Sequence, residues 1–206
     1  MVIKRALTVK NLRDYKAITL GFDGRFLASF GQPELTGSWL IWGKSANGKT
    51  RFALQLAKYF AQFRRVAYNS LEEGKSLSMK EAILNLGMDD VERRFLLLDK
   101  EPVSELIERL NRPKSPDVVF IDSLQYAGLS YGDYKALRDQ FRSKLFVFIS
   151  HAKGKEPKGE VANSVRYDAY VKVYVEGYKA FPQSRYGGGE DFVIWPAGAQ
   201  KYWDYK

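Results

Sequence analysis

The 206-residue sequence contains no cysteine, no low-complexity tract and no long hydrophobic run. Without cysteine, disulfides, thiolate metal sites and thiol nucleophiles are all excluded. No stretch approaches the roughly 18 apolar residues that a membrane-spanning helix needs, and the start of the chain is too charged for a secretory signal. We therefore expect a cytoplasmic protein that has no membrane partner.

The residues that are present are typical of a single folded domain. Hydrophobic residues make up 45% and aromatic residues 15% of the chain, which separates it from disordered proteins. The length allows one substantial core but not two comfortable ones. The formal net charge of +9 is common among proteins that bind polyanions, although a basic surface can also simply aid solubility.

Hydrophobic periodicity divides the chain after residue 37. Residues 1–37, with a short helix expected near 8–15, are interpreted as an N-terminal lead-in segment to a domain over residues 38–206. In that domain, short apolar runs predict buried strands at 38–42, 65–69, 95–98, 118–121 and 145–149. Helical patterns occur at 49–63, 78–86, 103–110 and 134–141.

This alternation predicts an α/β fold with a mostly parallel central sheet and helices on both faces. The C-terminal part differs, because residues 170–175 and 192–195 show strand alternation around the turn-prone residues 184–189. We expect these two strands to form an antiparallel hairpin that extends the sheet.

The segment between the first strand and the first long helix reads GKSANGKT and matches the pattern GxxxxGK(S/T) in full. Its glycines let successive backbone N–H groups point at phosphate oxygens, and the helix adds its positive N-terminal end. Lys49 would neutralise the β- and γ-phosphates, and the Thr50 hydroxyl would bind Mg²⁺. The sequence therefore predicts a site for ATP and Mg²⁺, with nucleotide-binding residues Gly43, Lys44, Ser45, Ala46, Asn47, Gly48, Lys49, Thr50 and Arg51.

Carboxylates follow two other predicted strands. Asp122 ends the apolar run 118–121, so a buried strand would deliver it to the carboxyl end of the sheet, where it could hold Mg²⁺ through water. Glu72 and Glu73 come directly after the second strand, where hydrolysis needs a group that positions the attacking water. We prefer Glu72 for this role, but the pair could equally be a helix-start charge pair or a solvated turn.

These segments resemble the RecA-like P-loop ATPases, in particular the RadA and DnaB-helicase branch, over roughly residues 33–195. The stretch VAYNSLEEG at 66–74 is similar to the segment that ends in the family's catalytic glutamate, which maps onto Glu72. The stretch VFIDSLQ at 119–125 is similar to the family's Walker B strand. The resemblance gives His151 the role of sensing the γ-phosphate, whereas the only histidine of a chain is more often a hydrogen-bonded structural residue.

The stretch QSRYG at 183–187 resembles the family's Lys-Asn-Arg-Phe-Gly motif, whose basic residues reach the nucleotide of the adjacent subunit. Arg185 matches the motif's arginine, whereas Gln183 stands in place of its lysine. The resemblance therefore implies a homo-oligomer, a ring or filament, with ATP at subunit interfaces and Arg185 acting in a neighbour's site. The alternative is a solvated hairpin arginine.

Residues 125–134 and 151–166 fall where the family places DNA-binding loops. Aromatic faces can stack on bases, and lysines can follow phosphates without reading sequence. Both segments could also be ordinary mobile surface loops. The candidate nucleic-acid contacts are Tyr126, Tyr131, Lys153, Lys155, Lys158 and Arg166.

The predicted function is Mg-ATP hydrolysis by a DNA-associated ATPase of replication or recombination, with Lys49, Glu72, His151 and Arg185 as catalytic residues. Its partner would be single-stranded nucleic acid, with DNA favoured. A regulatory or loading ATPase that acts on a protein partner is the alternative. A small-molecule kinase shares the phosphate loop, but the glutamate after the second strand and the terminal hairpin argue against it.

Overall fold

The computed structural model describes residues 5–205, so the first four residues of the predicted lead-in and Lys206 lie outside it. The strands are β1 Gly37–Gly43, β2 Val66–Ser70, β3 Phe95–Asp99, β4 Val118–Asp122, β5 Leu145–Lys153, β6 Glu156–Pro157, β7 Val171–Glu176, β8 Lys179–Ser184 and β9 Phe192–Val193. The helices are α1 Val9–Arg13, α2 Gly24–Phe30, α3 Lys49–Ala61, α4 Leu77–Asn85, α5 Val103–Leu110, α6 Tyr131–Gln140, α7 Glu160–Asp168 and α8 Pro196–Asp204, with a 3-10 helix at Met88–Val91.

The strands form one sheet in the order β3-β2-β4-β5-β1-β7-β8-β9, with β6 paired to β5. The first six strands of this order, β3, β2, β4, β5, β1 and β7, are parallel to one another. This confirms the predicted mostly parallel α/β fold. The carboxyl ends of β1, β2, β4 and β5 therefore meet at one edge, which is where α/β sheets form their sites.

Alternation along the buried strands gives each face of the sheet its own core. In β1, Trp39 and Ile41 join the cluster that α3 covers, whereas Leu40 and Trp42 join the cluster covered by α5, α6 and α7. Successive side chains of a strand point to opposite faces, so a strand covered on both sides reads as a continuous apolar run. This explains why β1 was detectable in the sequence.

The C-terminal antiparallel part differs from the prediction in its pairing. β7 pairs with β8 across a turn at residues 177–178, and β9 then pairs with β8 as a third strand. The strands expected at 170–175 and 192–195 are therefore not neighbours, and the turn expected at 184–189 falls at the end of β8 and in the connection from β8 to β9. Pro182 lies inside β8, and proline weakens the sequence signal of a strand because it cannot donate to the ladder.

Residues 151–166 are more ordered than the expected loop. β5 continues to Lys153, β6 turns back against it through Gly154, and α7 begins at Glu160. Ala162 and Val165 of α7 are buried against the sheet, so burial of this small apolar face holds the segment in place.

The predicted lead-in packs partly on the same core as the domain. Phe22, Phe26 and Phe30 are buried and belong to the cluster under α3, and Phe26 stacks on Tyr59 of α3 with ring centroids 3.8 Å apart. The boundary between residues 37 and 38 stays a prediction.

Large apolar side chains nearer the N-terminus are exposed: Leu7, Val9, Leu12, Tyr15 and Ile18. In the described part of the chain, every helix is too short or too polar to cross a membrane.

Candidate nucleotide site

The phosphate loop joins the end of β1 to the start of α3. Gly43 ends the strand, and a Cβ there would lie 2.1 Å from the carbonyl oxygen of Val175, so only glycine fits. Gly48 adopts φ 95°, in the left-handed region that favours glycine. Both fixed glycines of the motif are thus required by backbone geometry.

Asn47 ties this loop to the turn between β7 and β8. Its Oδ1 accepts a hydrogen bond from the Gly177 N–H at 2.8 Å, and its carbonyl oxygen accepts from the Tyr178 N–H at 3.2 Å. Tyr178 reaches back over Gly48, where a Cβ would lie 3.0 Å from the ring. The turn therefore supports the loop from the side.

A cleft of about 380 Å³ opens over the loop. It brings together most of the residues expected at the site, together with Glu73 and Tyr178, which were not assigned to the nucleotide. Its lining is Ser45, Ala46, Gly48, Lys49, Thr50, Arg51, Glu72, Glu73, Asp122, His151 and Tyr178.

Lys49 and Arg51 of the predicted nucleotide-binding set also have neighbours within the protein. The ammonium group of Lys49 donates to the carbonyl oxygen of Lys44 at 2.8 Å. Burial lowers the pKa of Lys49, and the charges of Asp122 and Glu72 partly offset that effect. The Arg51 guanidinium lies 5.4 Å from the centre of the Trp195 ring, within cation–π range.

Asp122 ends β4 and is buried among charged and polar neighbours. Its Oδ2 accepts a hydrogen bond from the Tyr68 hydroxyl at 2.5 Å. Burial raises the pKa of Asp122 to about 6, while the Tyr68 hydrogen bond and the charge of Lys49 lower it and Glu72 raises it. Burial also raises the pKa of Tyr68 well above its ordinary value, so this hydroxyl stays a donor.

Glu72 is held beside Asp122 by the backbone. The N–H groups of Leu71 and Glu72 donate to the carbonyl oxygen of Asp122 at 2.6 and 3.1 Å. The Glu72 Oε2 accepts from the Ser123 hydroxyl at 3.2 Å and lies 2.8 Å from the His151 Nε2. Three strand ends thus converge on one carboxylate.

Glu73 also reaches the cleft but has a different partner. It is exposed, and its Oε2 accepts a hydrogen bond from the Ser78 hydroxyl at 3.1 Å. Ser78 lies in the first turn of α4, where a nearby carboxylate is favoured electrostatically. Glu73 therefore fits the helix-start interpretation better than Glu72 does.

The donor set fits magnesium held together with a nucleotide. Among residues 5–205, no group of three or more histidine and carboxylate side chains is placed to hold a metal ion. Mg²⁺ is usually bound by one or two protein groups plus phosphates and waters, and Thr50 and Asp122 line the same cleft. Magnesium binding would therefore depend on the nucleotide.

Gln125 connects this site to the β5–β6 hairpin. Its Nε2 donates to the Ser150 hydroxyl at 2.9 Å and to the Lys158 carbonyl at 2.7 Å, and its Oε1 accepts from the His151 N–H at 3.1 Å. The sequence predicted Gln125 as part of the Walker B resemblance and as the start of the expected DNA-binding loop 125–134. Its role as a bridge depends on the pairing of β4 with β5, which the sequence does not encode locally.

Sequence reasoning also missed Tyr68 and Tyr178. Tyr68 is an inward-facing residue of a buried strand and is indistinguishable in sequence from an ordinary core aromatic. Tyr178 follows a glycine in a turn, and its approach to the loop depends on the β7–β8 pairing that was predicted differently. A phosphate loop alone contains no signal for either residue.

The predicted nucleic-acid contacts lie outside the cleft and divide into two kinds. Lys153, Lys155, Lys158 and Tyr126 are exposed. Arg166 instead forms an ion pair with Glu156 and lies over the Trp42 ring, and Tyr131 stacks on Tyr134 and contacts Lys135. The first group is available to a ligand, whereas the second is already used in holding the surface together.

Arg185 lies far from its own phosphate loop. β8 runs antiparallel to β7, so its last residue, Ser184, pairs with Val171, which begins a strand that ends beside Gly43. Arg185 follows Ser184 at this opposite end of the sheet, is exposed, and has its guanidinium 4.8 Å from the Tyr170 ring centre. The structure therefore does not bring it into the cleft of the same chain.

Comparison with known proteins shows which fold this chain has. No protein-family model and no curated protein matches the sequence. Among solved structures, a KaiC-like protein from Pyrococcus horikoshii is 14% identical, with a TM-score of 0.62, covering 85% of this chain and 93% of its own. The flagellar accessory protein FlaH from Methanocaldococcus jannaschii is 16% identical, with a TM-score of 0.61, covering 88% and 96%. The likeness establishes that this chain has the RecA-like P-loop fold.

Proposed function

We propose that this chain binds Mg-ATP in the cleft and hydrolyses it as a DNA-associated ATPase of replication or recombination. The observation that carries the proposal is the convergence of Lys49, Thr50, Asp122 and Glu72 in one cleft from three separate strand ends. A phosphate loop binds nucleotide, whereas hydrolysis also requires a group that positions water. Glu72 supplies that group.

In this mechanism each residue has a separate task. Magnesium, when bound with the nucleotide, supplies charge stabilisation at the phosphate oxygens. Lys49 would neutralise charge on the β- and γ-phosphates, and Thr50 and Asp122 would hold the ion. The hydrogen bonds from Ser123 and His151 to the Glu72 Oε2 fix the carboxylate, so that Oε1 can accept a hydrogen bond from the attacking water.

Gln125 supports a link between turnover and a nucleic-acid strand. It contacts the backbone of His151 in the site and of Lys158 on the hairpin that carries the exposed lysines. A strand bound to Lys153, Lys155 and Lys158 would therefore bias the position of His151 and, through it, of Glu72.

We include in the proposal a cytoplasmic location and a homo-oligomer with ATP at its subunit interfaces.

A regulatory or loading ATPase that acts on a protein is favoured by a different observation. Five apolar side chains of one short segment are 60% to 73% exposed: Leu7, Val9, Leu12, Tyr15 and Ile18. Clustered exposed apolar residues mark protein contacts more often than isolated ones do.

The deciding experiment is the ATPase rate with and without single-stranded DNA, beside a mass measurement with nucleotide present. The DNA-associated function predicts stimulated turnover and an assembly larger than a monomer. Turnover that DNA leaves unchanged, or no turnover at all, would move the assignment to the protein-directed switch or to a nucleotide-binding protein without ATPase activity.

A further inference from the structure

A second basic surface lies at the end of the sheet opposite the nucleotide cleft. Arg64 and Arg65 immediately precede β2, and Arg93 and Arg94 immediately precede β3. β2 and β3 are parallel neighbours with Val66 opposite Phe95, so the two arginine pairs enter the sheet side by side. Adjacent strands are about 4.8 Å apart, so the backbones of the two arginine pairs lie close together at one edge.

Lys114 adds a fifth cation beside them. The Arg65 Nη1 donates to the Lys114 carbonyl oxygen at 2.6 Å, which brings the loop before β4 against the start of β2. Together these side chains line an open cleft of about 530 Å³, with Phe63, Ser115 and Asp117 completing its wall. We call this the arginine cleft.

The cations of the arginine cleft outnumber the one carboxylate of its lining, and Asp89, Asp90 and Glu92 line an adjoining cleft beside Arg93 and Arg94. In the part of the chain that the structure describes, none of the five makes an ion pair. Asp117, the carboxylate of the lining, accepts instead from the Arg65 backbone N–H at 3.3 Å. Arg64 donates through Nη1 to the Phe63 carbonyl oxygen, and its Nε is buried without a hydrogen-bond partner.

We propose that the arginine cleft binds the phosphodiester backbone of a nucleic-acid strand. The guanidinium fork matches the geometry of phosphate oxygens. A single phosphate carries a charge of at most about −2, which leaves most of these cations unpaired. Consecutive phosphates match a row of cations that extends across the starts of three strands.

The lining also indicates that the cleft does not recognise the base sequence of a nucleic acid. Phe63, the aromatic residue of the lining, is half-buried and packs on the core under α3, so the charged contacts of this cleft come from its arginine and lysine side chains. Backbone contacts position a nucleic acid without specifying its sequence. Binding at this cleft should therefore be sequence-independent and strongly dependent on salt.

This site is separate from the surface used in the proposed function. The exposed lysines of the β5–β6 hairpin follow the carboxyl end of β5, whereas the arginine cleft lies at the amino ends of β2, β3 and β4. Variants of the two surfaces can therefore be compared in one assay. The inference does not depend on ATP hydrolysis.

The test is fluorescence anisotropy of labelled single-stranded and duplex oligonucleotides of several sequences, titrated with the full chain. The variant carries Arg65→Gln, Arg93→Gln and Lys114→Gln, and the matched control carries Lys153→Gln, Lys155→Gln and Lys158→Gln. We expect the first variant to lose at least about tenfold in affinity and its salt slope on single strands to fall by about 2, since each phosphate contributes roughly 0.7. Its affinity for a fluorescent ATP analogue should be unchanged.

Loss in the arginine variant supports the arginine cleft, whether or not the lysine control also loses affinity. Loss in the lysine control alone overturns the arginine cleft and leaves the proposed function standing. Parental binding in the arginine variant, no binding by the parent at low salt, or equal displacement by inorganic phosphate would each overturn the inference. Should the triple variant fail to fold, Arg93→Gln with Lys114→Gln gives the same comparison, because it keeps the hydrogen bond from the Arg65 Nη1 to the Lys114 carbonyl oxygen.

Discussion

Lys49 lies in the first turn of α3 and faces the cleft that also holds Asp122 and Glu72. We expect Lys49→Ala to abolish turnover and greatly weaken ATP binding, because the β- and γ-phosphates would lose their cation from within the motif. Lys44→Ala is the matched control, since Lys44 belongs to the same loop but is exposed and is not among the residues that line the cleft. Phosphate release and binding of a fluorescent ATP analogue measure both effects. If Lys49→Ala hydrolyses ATP at the parental rate, the assignment of the phosphate site is wrong.

Glu72 should affect water activation and not nucleotide affinity. Glu72→Gln keeps the size of the side chain but removes its charge, so turnover should fall by about a hundredfold or more while Mg-ATP binds nearly normally. Glu73→Gln is the internal control and should be milder, because Glu73 bonds to Ser78 at the start of α4. Single-turnover rates separate the two variants, and a larger loss in Glu73→Gln would reverse the choice.

The buried pair of Tyr68 and Asp122 should make the proposed nucleotide binding sensitive to pH. Burial raises the pKa of Asp122 to about 6, and the hydrogen bond from Tyr68 lowers it. Tyr68→Phe removes that bond, so the Asp122 pKa should rise further and magnesium-dependent ATP affinity should require a higher pH. Affinity measured with magnesium between about pH 5 and 8 gives the midpoint. An unchanged midpoint in Tyr68→Phe would show that Asp122 does not control this step.

The raised pKa of Asp122 also makes the stability of the fold depend on pH. The direction of this dependence is opposite to that of a salt-bridged carboxylate, whose pKa is lowered. The pKa of Asp122 in the folded state lies above its ordinary value of 3.8, so folding favours the protonated form. The stability contributed by that form is present below about pH 4 and is lost as the pH rises through about 6. A site that needs the ionised carboxylate is therefore kept at some cost to stability.

Residues with a fixed sequence spacing were predictable, and residues brought in by pairing were not. Lys49, Thr50 and Asp122 were found because the phosphate loop and the apolar run before Asp122 are local patterns. Tyr68 approaches Asp122 because β2 and β4 pair with Tyr68 opposite Phe120. No local pattern specifies that register.

The β5–β6 hairpin is the element that would carry a strand of nucleic acid in the proposed function. Replacing Lys153, Lys155 and Lys158 together by Ala should weaken single-strand binding across sequences and reduce its salt slope by about 2, at roughly 0.7 per phosphate. Arg166 is left unchanged because it pairs with Glu156. Anisotropy titrations at several salt concentrations measure both quantities, and unchanged binding would count against this surface.

At the level of elements, β1, β2, β4 and β5 were predictable because each contains a buried, mainly apolar run. β3 is an apolar run that is only partly buried, and β7 alternates between buried and half-buried residues. β8 was missed because Pro182 interrupts its pattern. β8 pairs with β9 only at Lys179 and Ala180, so Pro182 lies where β8 has no partner on that side and proline is tolerated. α7 was missed because its buried face is small, consisting of Ala162 and Val165.

The whole molecule presents its phosphate loop and Arg185 at opposite ends of the sheet. If Arg185 acts in a neighbour's site, Arg185→Ala should lose turnover, by roughly a thousandfold where such fingers act, while each subunit still binds ATP. Specific activity should rise more than proportionally with protein concentration. Mixing Arg185→Ala with Lys49→Ala should restore some activity, because hybrid interfaces combine one intact loop with one intact arginine.

Rates over a concentration series, beside mass measurements, check this prediction, and Gln183→Ala serves as a neighbouring control. A strictly monomeric preparation that hydrolyses ATP at the full rate without Arg185 would contradict both the finger and the interfacial site. The phosphate loop, Glu72 and Asp122 would then form a self-contained site.

The position of β1 in the middle of the sheet has a consequence for how the chain acquires its structure. β1 pairs on one side with β5 and on the other with β7, both more than a hundred positions later in the sequence. Each of these pairings closes a large loop, and the chain entropy lost in closing it is not compensated until the strands make contact. Such pairings therefore form slowly. During synthesis, the hydrophobic run of β1 would emerge from the ribosome long before its partners and would remain exposed to aggregation until β7 is made.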